Sequence, residues 1–413
     1  MSATVTRPDV VIVGGGIGGG ALAKCLCEAG VSVLVLERTQ IYADVVRGEW
    51  IAPWGIVETR AIGVYPLYLA NGGHHVTRHV GYDEDVQPRV AEAAALDLTK
   101  LLPDNPGPLC IGHPKMCDVL TDAATAAGAQ ILRGVANTLV VPGNPPTVTF
   151  DHDGRQHTLH PRLVVGADGR HGKTAQQIGA AIQQDAPHHR FSGMLIDNVP
   201  DWREDTQFIA TEGDVNVLAF PQGEGRVRLY IGFALDQKTR LAGKEGPQRF
   251  LDAFRLKSVP GSEAIVAGRP IGPCLVYPNN DTWIDAPYAQ GVLLIGDAAG
   301  RNDPITGQGL SITHRDVRIV RDLLLGERDW MTDTFAAYGE ERRERMRRLR
   351  ISARISAIVE AEFDDAARSR RQRVAEKRRA AAPESLAMLT PFIGPDALPA
   401  EPYSDEAVAA LLA

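Results

Sequence analysis

The sequence predicts an α/β fold: a three-layer unit around a parallel sheet, an inserted and mainly antiparallel sheet, and a helical segment towards the C-terminal end. Three observations predict it. An apolar run meets a glycine cluster at residue 14, strand patterns joined by turns occupy 191–234, and charged helical sequence fills 335–380.

The first element, Val10–Val13, is four apolar residues in a row and reads as a buried parallel strand. It runs into Gly14-Gly15-Gly16-Ile17-Gly18-Gly19-Gly20. Gly14 permits a tight turn, Gly16 lets the backbone close on a pyrophosphate, and Gly19 lets the following helix pack on the strand. That helix, expected over 21–29, turns unpaired N–H groups and the positive end of its dipole towards phosphates. Gly30 stops it, 31–36 forms a second strand, and Glu37 stands at that strand's end. A carboxylate there accepts both ribose hydroxyls of an adenosine and repels a 2′-phosphate. Arg38 follows directly and is counted with the cofactor-binding residues. Together these elements predict a Rossmann-like unit that holds an ADP-containing cofactor.

Further along, 41–57 reads as a loop feeding a helix, and 58–105 as short helices and turns. Residues 116–128 are helical, and strands are expected at 131–132, 135–141, 147–150 and 157–159, the last two joined by Asp151-His152-Asp153-Gly154. Strands at 208–211, 215–220 and 226–233 follow, an antiparallel sheet suited to roof a cofactor. Residues 292–295 form another buried strand, a long helix runs from about 309 to 325, and the tail after Pro383 is Pro-rich and weakly structured.

Composition narrows the class. The 413 residues suffice for more than one core, and 44% hydrophobic with 23% charged residues is ordinary for a globular protein. A net charge of −7 argues against a general nucleic-acid binder. No apolar run approaches the roughly 18 residues that span a bilayer, and the N-terminus leaves no room for a signal peptide. Five cysteines without paired C-x-x-C clusters read as free thiols in a reducing cytoplasm. The adjacent pairs His74-His75 and His188-His189 make poor chelators, and no metal is expected.

Two further signatures carry chemistry. In Gly291-Val292-Leu293-Leu294-Ile295-Gly296-Asp297-Ala298-Ala299 a strand delivers Asp297 to a crevice floor, where its carboxylate accepts from a ribityl hydroxyl. Asp303-Pro304-Ile305-Thr306-Gly307-Gln308-Gly309-Leu310-Ser311 then opens a helix. The N–H groups of Leu310 and Ser311 there suit a flavin pyrimidine oxygen that gains negative charge on reduction. Gly166-Ala167-Asp168-Gly169-Arg170-His171 is the third signature.

In this order and spacing the three motifs resemble the single-component flavoprotein monooxygenases of the para-hydroxybenzoate hydroxylase type. The resemblance runs from about residue 8 to 330 and rests on the motif segments. It implies FAD, NAD(P)H as reductant, and O2 activated as a C4a-hydroperoxyflavin that hydroxylates or epoxidises a small, aromatic or cyclic substrate. It further implies that Gly14, Gly16, Gly19 and Glu37 bind the ADP half, that Asp168 serves FAD and NAD(P)H, and that Asp297 meets the ribityl chain. Arg47 resembles the family arginine near flavin and substrate, and Pro304 lies over the flavin; these two are the expected catalytic positions. Gly307 and Gly309 belong to the same cofactor loop.

The chain departs from the family at several points. His113 stands where an arginine is usual, Gly172 and Ala175 replace Ser and Arg of the third motif, Gly300 replaces a His, and Asp303 replaces the first Pro. His113 is counted as a cofactor residue, with plain packing as the alternative. Asp303 reads as a solvated loop carboxylate more than as a pocket acid. Trp50, Pro53 and Trp54 divide evenly between lining a substrate pocket and packing at a domain interface. The basic stretches 342–350 and 368–379 read as solvated, salt-bridged helix faces.

The expected organisation is a discontinuous FAD-binding domain (1–70, 105–185, 285–330), a substrate domain (71–104, 186–284), C-terminal helices (331–382) and a tail (383–413). The rival readings are a flavin reductase or dehydrogenase acting on a carbon–carbon double bond, and a non-catalytic flavoprotein.

Overall fold

The computed structural model describes residues 7–46, 48–199, 202–327, 329–330 and 332–413. Val10–Val13 lies at the heart of a six-stranded sheet, flanked in parallel register by Val33–Glu37 and Leu163–Gly166. Gln130–Arg133 extends one side, Val292–Leu294 the other, and the short Tyr288–Ala289 closes the edge antiparallel. All four residues of Val10–Val13 are buried, as expected for a strand covered on both faces. Helices Ile17–Glu28, His113–Ala126 and Gly309–Gly326 cover one face; Val135, Val140, Val148 and Phe150 bring the hairpin sheet 136–159 against the other.

A second sheet of eight strands contains His189–Asp197, Thr206–Glu212, Val215–Gly223 and Arg226–Ala234, with Arg78–Asp83 beside Thr206–Glu212 in parallel register. Residues 78–83 were expected as short helix or turn. Their sequence alternates weakly, and only pairing with 206–211 makes them a strand.

The C-terminal end differs most from expectation. Ala336–Glu360 and Asp365–Arg379 are helical as read, but the tail is ordered: Pro383–Leu389 and Thr390–Ile393 are helical turns and Asp405–Leu412 is a helix. Tyr403, Val408 and Leu411 bury against Ile355, Val359 and Val374. Prolines that look like linker punctuation stand at the first or second residue of these turns. Among the described residues no helix is long and apolar enough to cross a membrane, and all five cysteines are free.

Candidate active site

The three glycines of the opening turn differ sharply in surroundings. A Cβ on Gly14 would lie 2.4 Å from the Ala167 carbonyl oxygen, in a backbone with φ +104°. On Gly19 it would lie 1.9 Å from the Gly14 oxygen, whereas on Gly16 it would meet nothing within 4 Å. Gly14 and Gly19 therefore serve turn and packing, and Gly16 borders open space. Behind that space the helix Ile17–Glu28 forms its first internal bond from Gly20 N–H to Gly16 C=O, leaving the earlier N–H groups without helical acceptors. Glu37 is buried at its strand's end; its carboxylate accepts from Gly15 N–H (2.6 Å) and from Thr39 N–H and hydroxyl (2.7 Å each). Arg38 is exposed beside it. The chemistry of this turn fits a dinucleotide: open backbone at Gly16, donors at a helix end, an acid beyond.

The second half of the site is a loop clamped from behind. Asp297 is the second residue of a single helical turn, Gly296–Ala299, and lines a cavity of about 200 Å³. The buried Arg342 donates to the carbonyls of Ala299 (2.7 Å), Gly300 (3.0 Å) and Gly296 (3.1 Å). Asp316 on the long helix accepts from Arg342, from Arg345 (2.6 Å) and from Gly296 N–H (2.8 Å). Burial pushes the Asp316 carboxyl up, but the two guanidiniums outweigh it and hold it below its ordinary value. The stretch 342–350 thus contributes two wholly buried arginines, which corrects its reading as a solvated face. Such burial requires a partner, and Asp316 is 26 residues away in sequence from the nearer arginine.

Pro304 opens the turn Pro304–Thr306 and lines the cavity with Gly307 and Gly309. Ile312 N–H is the first of the long helix to find a helical acceptor, Gln308 C=O at 3.0 Å, so the N–H groups of Gly309, Leu310 and Ser311 have none. The Ser311 hydroxyl is turned away to accept from Ala52 N–H (3.1 Å). Asp303 is buried, not solvated: it accepts from Ile305 N–H (3.0 Å), and burial, with Asp281 nearby, pushes its carboxyl up to about 7. Asp281, which accepts from Asp303 N–H, is raised by burial to about 6.

The departures from the family have local causes. A Cβ at Gly300 would lie 2.6 Å from the Thr282 carbonyl oxygen, and one at Gly172 would lie 2.1 Å from the Asp168 carboxyl carbon. Asp168 accepts from Lys173 N–H, Thr174 N–H and the Thr174 hydroxyl, and so ties the turn to the helix Thr174–Gln177. His113 begins its helix and donates its backbone N–H to Glu49 (3.0 Å), with the ring near Cys117 Sγ. Arg47 lies outside the described residues.

The cavity has three walls. One is the cofactor side, with Trp50, Asp297 and Pro304; the second is the eight-stranded sheet, with Phe191, Gln207, Phe220, Tyr230 and Tyr277. The third comes from the C-terminal region: Ser356, Glu360, Arg378, Met388, Pro391 and Phe392. The tryptophans divide the two roles held open for them. Trp50 lines the cavity, while Trp54 is buried and donates to Gln308 Oε1 (2.8 Å), bracing the loop. His79, Gln207, Glu360 and Arg378 carry no motif, and nothing in the sequence marks them.

A chain with this sheet, this glycine turn and a cavity at the strand ends is a dinucleotide-binding flavoprotein in architecture. The sequence model of the family described as FAD binding domain matches residues 7–352, and the chain belongs to that family, in the para-hydroxybenzoate hydroxylase-type class of flavin-dependent oxidoreductases. It is 25% identical to squalene monooxygenase of Mus musculus over 338 residues, 78% of this chain and 55% of that enzyme. The chain therefore spans little more than half the length of that relative. It is 25% identical to digeranylgeranylglycerophospholipid reductase 2 of Methanococcoides burtonii over 321 residues, 73% of this chain and 71% of that enzyme. In fold it is similar to p-nitrophenol 4-monooxygenase of Pseudomonas putida, with TM-score 0.77, 18% identity, and 92% and 95% of the two chains covered.

Proposed function

We propose that this protein is an FAD-dependent monooxygenase that uses NAD(P)H and O2 to hydroxylate or epoxidise a small aromatic or cyclic substrate. One observation carries the reading: an aromatic-lined cavity opens beside the Pro304 loop and the donor-rich start of the helix Gly309–Gly326. Bound FAD supplies acceptance of hydride and activation of oxygen. Gly16 and the N–H groups at the start of Ile17–Glu28 would hold the pyrophosphate, and Glu37 the ribose. Asp297 would bind the ribityl chain, and the N–H groups of Gly309, Leu310 and Ser311 the pyrimidine edge. Pro304 and Arg47 are proposed beside the reacting atoms. The aromatic walls would orient the substrate and exclude water. The five free thiols accord with a cytoplasmic site of action.

A second reading, reduction of a carbon–carbon double bond, is favoured by the digeranylgeranylglycerophospholipid reductase relative and by the altered third motif at Gly172 and Ala175. Stopped-flow absorbance separates the two. FAD-loaded protein, reduced anaerobically and mixed with oxygen, is expected to show a spectral transient before oxidised flavin returns. Direct return, with alkene substrates accelerating reoxidation under anaerobic conditions, would establish the reductase.

A further inference from the structure

The wall built by the C-terminal helices holds charge that the reading above does not use. Arg378 sits in the last turn of Asp365–Arg379. Its neighbour Lys377 is tied to the carbonyls of Ala410 and Leu411 at the end of the final helix. Arg378 instead lines the cavity, and its guanidinium has no hydrogen-bond or ion-pair partner among the described residues. The helix dipole favours a cation in this turn but does not explain a side chain presented to a cavity. Protein packed around Arg378 pushes it below the usual arginine range, although the residue itself is exposed.

Opposite it stands His79, whose protonation is settled by a chain of bonds. Trp50 Nε1–H can only donate, and it donates to Gln207 Oε1 at 2.7 Å. The Gln207 amide nitrogen therefore faces His79 Nδ1 at 3.2 Å and donates to it. Burial, reinforced by Arg378, lowers His79 to about 3, so the ring is neutral at pH 7. Its single proton is then on Nε2, a donor with no partner among the described residues. Glu360, the nearest acid on this wall, makes no ion pair with Arg378, and burial raises its carboxyl to about 7. Burial outweighs the attraction of Arg378 and Arg371, so Glu360 holds its proton more tightly than an ordinary carboxyl and offsets Arg378 only in part. Arg371, the other nearby cation, is committed to Asp83.

We propose that Arg378 and the His79 Nε2–H form an anion subsite in the cavity, and that the substrate carries a carboxylate that occupies it. A carboxylate matches the planar guanidinium fork, and its second oxygen accepts from the imidazole. The apolar remainder of the substrate would lie against Trp50, Phe220 and Phe392. This inference rests on the cavity's being the substrate site.

The test compares 2-naphthoate with 2-naphthamide, neutral and nearly identical in shape, binding to the FAD-loaded protein as read by titration calorimetry, with flavin difference absorbance recorded alongside. The carboxylate is expected to bind at least about tenfold more tightly. Arg378→Met removes that preference while amide binding, FAD content and thermal midpoint stay unchanged, and Arg378→Lys keeps part of it. His79→Phe weakens carboxylate binding about fivefold. Equal binding of the two probes with a flavin response overturns the anion subsite alone, as does a preference that survives Arg378→Met. Binding with no flavin response, or no binding by either probe, overturns the subsite together with the placement of the substrate.

Discussion

At the residue scale, the glycine turn separates two kinds of requirement that a motif conflates. Gly19 has backbone where its side chain would be, and Gly16 has nothing. Gly19→Ala is expected to cost about 3 kcal/mol of stability or to prevent folding, because a Cβ 1.9 Å from a carbonyl oxygen forces helix and strand apart. Gly16→Ala should leave the apoprotein's thermal midpoint nearly unchanged and raise the FAD dissociation constant about tenfold or more. Calorimetry and flavin fluorescence titration check both. Asp303 gives a prediction in pH. Its folded value, about 7, lies above the ordinary 3.8, so the folded chain holds the proton more tightly than the unfolded one. The stability this contributes is complete below about pH 4 and is lost as pH rises through 7. Asp303→Asn retains the acceptor for Ile305 N–H and should flatten the fall in thermal midpoint between pH 5 and about 8. An unchanged profile would show that Asp303 does not hold its proton.

At the element scale, the long helix Gly309–Gly326 and the helix Ala336–Glu360 lock together through Asp316, Arg342 and Arg345. The same arginine pins the three carbonyls of the Asp297 turn, so helix packing and cofactor loop share one set of bonds. Arg342→Met should cost about 3–5 kcal/mol, since it strips the buried Asp316 of a counterion and leaves carbonyls unpaired. FAD content should fall with it. Adding Asp316→Leu is expected to recover much of the stability but not the cofactor affinity, because the loop carbonyls stay unheld. Chemical denaturation and flavin absorbance measure the two effects. In the sequence these arginines look like their neighbours, the exposed Arg343 and the half-buried Arg347. Only the acid facing them from another helix distinguishes them.

At the scale of the whole molecule, the cavity exists because three distant parts of the chain meet. Phe392, from the tail expected to be weakly structured, meets Trp50 edge-on with centroids 6.2 Å apart and lies 5.2 Å from the His79 ring. Phe392→Ala should destabilise the fold by about 3 kcal/mol. On the proposed monooxygenase reading it should also admit water, so that NAD(P)H oxidation continues while more of the oxygen consumed is recovered as hydrogen peroxide. Peroxide assayed against NAD(P)H consumed is the measurement; a ratio unchanged from the parent would mean that the tail does not seal the site.

The sequence by itself determined the cofactor half of this protein. Phosphate binding at a helix start needs a strand, a glycine turn and a helix in immediate succession, and the acid that reads the ribose ends the next strand. Those demands are met within residues 10–37, and the strand, Asp297 turn and helix start of the second signature likewise follow one another within 291–311, so local order is enough to show them. Tertiary structure alone decided the cavity proposed for the substrate. His79, Gln207, Glu360, Arg378 and Phe392 come from five separate elements, and each is locally an ordinary strand or helix residue. Their chemistry comes from desolvation and proximity, which arise only when the sheet, the cofactor loop and the C-terminal helices close around one space.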